Sequence, residues 1–119
     1  MDIYISHDIR DRKDVETLAA GFRELGLSVV FDDAPNAGRE YSEDSQNHSL
    51  IAPAVVVIWS SSSVASRWVK ADALAGIEGN KLVCVASGPI HFQLPAPFNS
   101  IHIESLEKWI SHPSQLESG

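Results

Sequence analysis

Residues 54–59, AVVVIW, are an unbroken apolar run, and this run decides the fold class. Three valines and one isoleucine dominate it, and β-branched residues favour a strand because their side chains pack well on a pleated surface. A strand that is apolar at every position is typical of a parallel sheet with helices on both faces. The run therefore predicts a central strand of an α/β domain.

Two further strands are predicted before this run. Residues 3–5 (IYI) and 28–31 (SVVF) are short and rich in β-branched and aromatic side chains. Between them, residues 11–25 have apolar side chains at helical spacing, at Val15, Leu18, Ala19, Phe22 and Leu25. Gly26 follows, where a left-handed residue commonly ends a helix. The first part of the chain thus predicts a strand, a helix and a second strand.

The same alternation continues after the run. Ser66 is placed to cap a helix over residues 67–77. Residues 81–86 (KLVCVA) predict a fourth strand, and residues 100–103 (SIHI) predict a short fifth strand. Alternating strands and helices predict a parallel sheet between two layers of helices, which makes a three-layer sandwich.

Two helices are less clearly marked. Ser105 is placed to cap a last helix that contains Leu106. A short helix capped by Ser42 is expected within residues 41–50, although the apolar face of this segment is small.

Composition limits the class of protein. The chain has 119 residues, enough for one domain with a core and too few for two. The net charge of −7, with scattered basic residues, argues against nucleic-acid binding. The longest apolar stretch, residues 51–59, is about half of the ~20 residues that a membrane span requires. Cys84 is the one cysteine, so no internal disulfide forms, and we expect a reducing, cytoplasmic setting.

The ends of the predicted strands exclude several chemistries. Residues 6–11 (SHDIRD) contain no glycine, which excludes a dinucleotide-binding phosphate loop. The third strand ends in Ser60, whereas a response-regulator receiver has a phosphorylated aspartate there. The run of residues 60–63 lacks the glycines of a serine nucleophile elbow. The five histidines lack metal-ligand spacing, so we expect no metal site.

Polar residues crowd the end of the first strand. Ser6, His7 and Asp8 follow it directly, at the sheet edge where open α/β sheets bind their ligands. An alternative interpretation is that Ser6 or Asp8 caps the next helix.

Three blocks of sequence carry a family resemblance. Residues 2–33 open with DIYISH, continue through an acidic turn and an amphipathic helix, and end in GLSVVFDD. In the second block, a loop follows Asp33, and Tyr41 comes three residues after Gly38. In the third, residues 55–72 (VVVIWSSSSVASRWVKAD) combine an apolar strand with spaced serines, a tryptophan and a carboxylate. Together the blocks resemble a TIR domain of the bacterial type.

The resemblance implies a flavodoxin-like fold with a five-stranded parallel sheet in the order 2-1-3-4-5. It assigns residues 1–112 to the TIR domain and residues 113–119 to a frayed tail or the start of a linker. Many TIR domains cleave the nicotinamide–ribose bond of NAD+, which is then a substrate and not a cofactor. Others are non-catalytic adaptors that self-associate. The resemblance therefore implies an NAD+ glycohydrolase or cyclase in a bacterial immune or signalling protein, activated by self-association, with a non-catalytic scaffold as the alternative.

The catalytic carboxylate of the family is a glutamate four residues after the tryptophan. Here that position is Asp72, whose side chain is one methylene shorter. The departure leaves three possibilities: a slow enzyme, an enzyme with a shifted backbone, or an inactive site. An alternative interpretation of Asp72 is a solvated helix residue paired with Lys70 or Lys81.

The resemblance also implies substrate-binding residues at the carboxyl edge of the sheet. They are Ser6, His7, Asp8, Asp33, Gly38, Arg39, Tyr41 and Trp68. Asp32 replaces Asp33 if the register of the second strand slips, Arg39 is alternatively a solvated loop charge, and Trp68 is alternatively part of the core.

Partners follow from the same resemblance. We expect other TIR copies, in a homo-oligomer or filament, with residues 35–41 as the candidate contact, and a fused or separate sensor or effector domain. A nucleoside deoxyribosyltransferase-like enzyme, which has the same architecture and a cleft carboxylate, is a third candidate.

Overall fold

The computed structural model describes residues 1–31, 48–88, 94 and 96–106. These residues form a five-stranded parallel sheet in the order β2-β1-β3-β4-β5. The strands are β1 (Ile3–Ser6), β2 (Val29–Val30), β3 (Ala54–Trp59), β4 (Leu82–Ala86) and β5 (Ile103–Ser105). The predicted parallel sheet and its strand order are confirmed.

Helices follow the strands in the described residues. They are α1 (Arg12–Glu24) and α2 (Arg67–Glu78), with short 3₁₀ helices at Ile9–Asp11, Ser63–Ala65 and Phe98–Ser100. Residues 48–51 are also helical and lead into β3. The predicted helices over residues 11–25 and 67–77 are confirmed within two residues at each end.

β3 lies at the centre of the sheet, and its side chains divide between two cores. Val56 and Ile58 pack with the buried residues of α1, whereas Val55, Val57 and Trp59 pack with those of α2. Each of these five side chains is at most 2% exposed. Successive residues of a strand point to opposite faces, so only a strand that is apolar throughout satisfies both cores. The prediction from residues 54–59 is therefore confirmed.

α1 covers one face of the sheet. Its buried residues are Val15, Leu18, Ala19 and Phe22, which recur at the helical period. Gly26 follows with φ +87°, in the left-handed region that only glycine adopts without a steric penalty. This turn directs the chain into β2.

α2 covers the other face. The hydroxyl of Ser66 accepts a hydrogen bond from the amide of Val69 at 3.3 Å, which confirms the predicted cap. Gly76 lets the helix approach the sheet closely, because a Cβ at this position would lie 3.1 Å from the side chain of Leu82. The buried face of α2 consists of small or apolar residues and one carboxylate, Asp72.

The fifth strand lies further along the chain than predicted. It was expected over residues 100–103, but β5 is Ile103–Ser105, paired with Cys84–Ala86 of β4. Ser100 belongs instead to the 3₁₀ helix Phe98–Ser100, whose Phe98 ring is buried against Trp59 with centroids 5.4 Å apart. Packing of this aromatic side chain favours a later start of the strand, three residues beyond the predicted one.

Two predicted helices fall partly outside the described residues. Ser105 is the last residue of β5, the helix begins at the buried Leu106, and residues 107–119 are not described. Of the helix expected within residues 41–50, the described part begins at residue 48.

Candidate functional site

The carboxyl ends of β1, β3 and β4 carry polar side chains. Ser6 ends β1, Ser60 follows β3 and Ser87 follows β4. Each of these hydroxyls donates a hydrogen bond to a carboxylate on a helix or turn that packs against the sheet edge. The edge predicted to bind ligands is therefore also where the buried acidic groups of the described residues lie.

Asp72 is the most enclosed of these carboxylates. It lies on α2, is 3% exposed, and faces β1. Its Oδ2 accepts a hydrogen bond from Ser6 Oγ at 2.6 Å and a longer one from the Tyr4 hydroxyl at 3.4 Å. Burying a carboxylate is costly unless polar partners meet it. A buried carboxylate at the carboxyl edge of a parallel sheet, on an otherwise small or apolar helix face, is a candidate functional group.

The interpretation of Asp72 as a solvated helix residue is wrong. A side chain that is 3% exposed is not at the solvated surface, because the inner face of α2 carries it against the sheet. The Lys81 amine, one of its two suggested partners, instead donates to the backbone carbonyl of Leu50 at 2.7 Å.

His7 and Asp8 diverge from Ser6. The His7 ring is buried and packs edge-on against Phe31, at a centroid distance of 6.0 Å. Asp8 caps the 3₁₀ helix Ile9–Asp11 by accepting a hydrogen bond from the Arg10 amide at 3.0 Å, so the capping interpretation holds for Asp8. Ser6 instead points to α2.

An open cleft lies beside these residues. It has a volume of about 280 Å³ and is lined by Asp8, Arg10, Ser62, Ala65, Ser66, Arg67 and Trp68. Trp68, predicted to bind substrate, is partly exposed in this cleft. The Arg67 guanidinium lies over its ring, 4.6 Å from the centroid. The cleft thus combines an aromatic face with positive charge at the amino-terminal end of α2.

A second polar cluster ties α1 to the ends of β3 and β4. Ser60 Oγ donates to Asp11 at 2.5 Å, and Ser87 Oγ donates to Asp14. Burial raises the pKa of Asp11 above its usual value, although the hydrogen bond from Ser60 opposes this rise. The negative charges of Asp8 and Asp14 raise this pKa further.

Some residues of the site had no motif to mark them. Tyr4 seemed only a strand residue, and Arg10 and Arg67 were not assigned any role. The signal for Tyr4 was its spacing: it lies two residues before Ser6, so strand alternation places both on one face.

Four predicted substrate-binding residues lie outside the described residues. They are Asp33, Gly38, Arg39 and Tyr41, together with the alternative Asp32. Their roles stay predictions.

The described part of the chain contains no group of three or more side chains suited to holding a metal ion. Nor does any helix in it have the length and apolar character needed to cross a bilayer.

The sheet order, the helices on both faces and the polar carboxyl edge define a flavodoxin-like α/β domain. Comparison with protein families identifies which family of such domains this is: the family model of the TIR domain matches residues 3–114. The chain therefore belongs to the TIR domain family.

A solved structure agrees with this assignment. The chain is similar to the TIR domain of the Toll-related receptor TRR-2 from Hydra magnipapillata, with a TM-score of 0.74 and 14% sequence identity. The similarity covers 98% of this chain and 96% of that one, and at this identity it shows a common fold. The comparison with curated proteins gives no significant match.

Proposed function

We propose that this TIR domain cleaves the nicotinamide–ribose bond of NAD+ and that Asp72 supplies the catalytic carboxylate. The observation that supports the proposal most is the position of Asp72. It is buried at the carboxyl edge of the sheet, hydrogen-bonded to Ser6 and one helical turn from the cleft residue Trp68.

The reaction demands mainly charge stabilisation. Nicotinamide leaves as a neutral ring, so no general acid is needed at the leaving group. Positive charge instead develops on the ribose, as in the oxocarbenium-like transition states of glycosidases. A fixed carboxylate aimed at that charge lowers the barrier most when water is excluded. Asp72 is 3% exposed, so its carboxylate is largely shielded from water.

The cleft suits the rest of a dinucleotide. Arg10 and Arg67 are exposed at its rim and complement the charge of a diphosphate. Arg67 lies over one face of the Trp68 ring, so a base or the nicotinamide would stack on the other face. Because Asp72 is short and almost fully enclosed, we expect slow turnover.

Membership of the TIR family also suggests how the active site is assembled and in what kind of protein the domain acts. The TIR domain is a module that associates with other TIR domains, and we propose that self-association completes the active site. We further propose a cytoplasmic bacterial immune or signalling protein, with a sensor or effector domain fused to this one or acting separately.

The test is nicotinamide release from NAD+ at high protein concentration, with and without a crowding agent. Asp72→Asn keeps size and polarity but removes the charge, so it should abolish release. The matched control is Asp2→Asn, which neutralises an exposed carboxylate at the opposite, amino-terminal end of β1. Release that persists unchanged in Asp72→Asn contradicts the assignment of Asp72.

A non-catalytic scaffold is the second candidate. Large apolar side chains are exposed on the described surface: Leu50 is 56% exposed, Ile51 70% and Leu74 45%. Contiguous exposed apolar patches favour contacts with other protein chains, and Leu50 and Ile51 are adjacent in the chain. A wild-type protein that assembles but releases no nicotinamide supports this candidate over the enzyme.

A further inference from the structure

Two hydroxyl groups of β1 hold the Asp72 carboxylate from the strand side. Ser6 Oγ lies 2.6 Å from Asp72 Oδ2, and the Tyr4 hydroxyl lies 3.4 Å from the same oxygen. Tyr4 and Ser6 are two residues apart in a strand, so both side chains point to the face that α2 covers. β1 therefore presents a pair of donors to α2.

The two donors differ in strength. A distance of 2.6 Å is within the range of short hydrogen bonds from a hydroxyl to a carboxylate, whereas 3.4 Å exceeds the usual range. Ser6 is also 2% exposed on a central strand, which restricts its rotamers. Of these two bonds, the Ser6 bond therefore restrains the carboxylate more strongly.

The other residues on the buried face of α2 are small or apolar. The other buried residues of α2 are Val69, Ala73 and Gly76, and none has a side chain that can form a hydrogen bond. Rotation of an Asp carboxylate about its last torsion has broad minima. A short hydrogen bond such as the one from Ser6 restricts this rotation.

We propose that Ser6 is a positioning residue that fixes the plane and reach of the Asp72 carboxylate, with Tyr4 as a weaker second donor. This inference rests on the proposed function, and it gives Ser6 a role other than direct substrate binding. A correctly positioned carboxylate stabilises the charge that develops in the transition state. Loss of the Ser6 hydrogen bond should therefore lower kcat and leave KM nearly unchanged. A displacement of about 1 Å can cost roughly 10²-fold in rate. We expect Ser6→Ala to lower kcat by about ten- to a hundredfold.

The experiment compares steady-state nicotinamide release from NAD+ by wild type and variants at a protein concentration that supports activity. Ser6→Thr keeps the hydroxyl and suits a strand, so it should recover most of the wild-type kcat. Tyr4→Phe keeps the ring and should lower kcat less than about threefold. The matched control is Ser87→Ala, which removes a serine hydroxyl bound to a different carboxylate, Asp14, and should leave kcat unchanged.

The outcomes separate this inference from the proposed function. A silent wild type overturns both. An active wild type with unchanged kcat in Ser6→Ala overturns the positioning role alone, as does a rise in KM at constant kcat, which indicates substrate binding. A loss of kcat that Ser6→Thr does not recover also overturns it. Circular dichroism checks the fold, and Ser6→Cys, similar in size with a weak donor, replaces Ser6→Ala if that variant does not fold.

Discussion

Trp68 and Asp72 are one helical turn apart in α2, but Trp68 lines the open cleft whereas Asp72 is buried against β1. Residues at this spacing share a helix face, which here runs from the cleft into the sheet. The aromatic side chain is therefore placed to contact a bound ring, and the carboxylate lies behind it.

The first prediction concerns the reach of that carboxylate. Asp72→Glu adds the methylene found in the family, and the longer side chain should bring the charge closer to a ribose in the cleft. We expect faster nicotinamide release than in wild type, measured as initial rates at equal protein concentration. Equal or slower release, from a variant that is folded and assembles, contradicts reach as the limitation.

The second prediction concerns self-association. Arg39 lies in the segment predicted to contact a neighbouring copy, so Arg39→Glu should weaken assembly and activity together. Light scattering and nicotinamide release at several protein concentrations measure both effects. Lys13→Glu, on the exposed side of α1, makes the same change in net charge and serves as the control. If wild-type activity per chain does not depend on protein concentration, a site completed by a neighbour is wrong.

The third prediction separates two serines of the run over residues 60–63. Ser63 is fully buried, donates to the Ile58 carbonyl at 2.7 Å and accepts from the Ser60 amide at 2.8 Å. Ser63→Ala leaves both buried groups without this partner, so it should lower the free energy of unfolding by about 1–3 kcal/mol. Ser61 is exposed, and Ser61→Ala should change the free energy of unfolding by less than about 0.5 kcal/mol. Urea unfolding measures both, and equal effects contradict the prediction.

The fourth prediction concerns pH. Burial raises the pKa of Asp11 above its usual 3.8, so the folded state binds this proton more tightly than the unfolded state does. The resulting contribution to stability is fully present below about pH 3.8 and is lost as the pH rises through the raised pKa.

Asp11→Asn removes this titration. The stability of the variant relative to wild type should therefore increase as the pH rises from about 3.8 through the raised pKa, and then level off. Urea unfolding of both proteins between acidic and neutral pH gives this difference, in which the contributions of the other carboxylates largely cancel. A relative stability that is constant or falls with pH contradicts the assignment.

Much of the fold was predictable because its signals are local. The period of apolar residues in α1, the cap at Ser66 and the continuous apolar run of β3 each depend on neighbours in sequence. The same holds for the polar residues that follow β1, from which the carboxyl edge of the sheet was predicted as the place of a site. β5 was misplaced because its start depends on Phe98 packing against Trp59, a contact between distant segments.

The sequence by itself determined the order of strands and helices along the chain and the central place of residues 54–59. Only the tertiary structure decided that Ser6 and Asp72, 66 residues apart, form a hydrogen bond, and that Tyr4 points at the same carboxylate. Periodicity states which face of an element is buried, but it does not state which residue of the facing element lies opposite. That choice depends on how closely α2 packs on the sheet and in which register, and it decided between the two interpretations of Asp72, whose side chain is buried and not solvated.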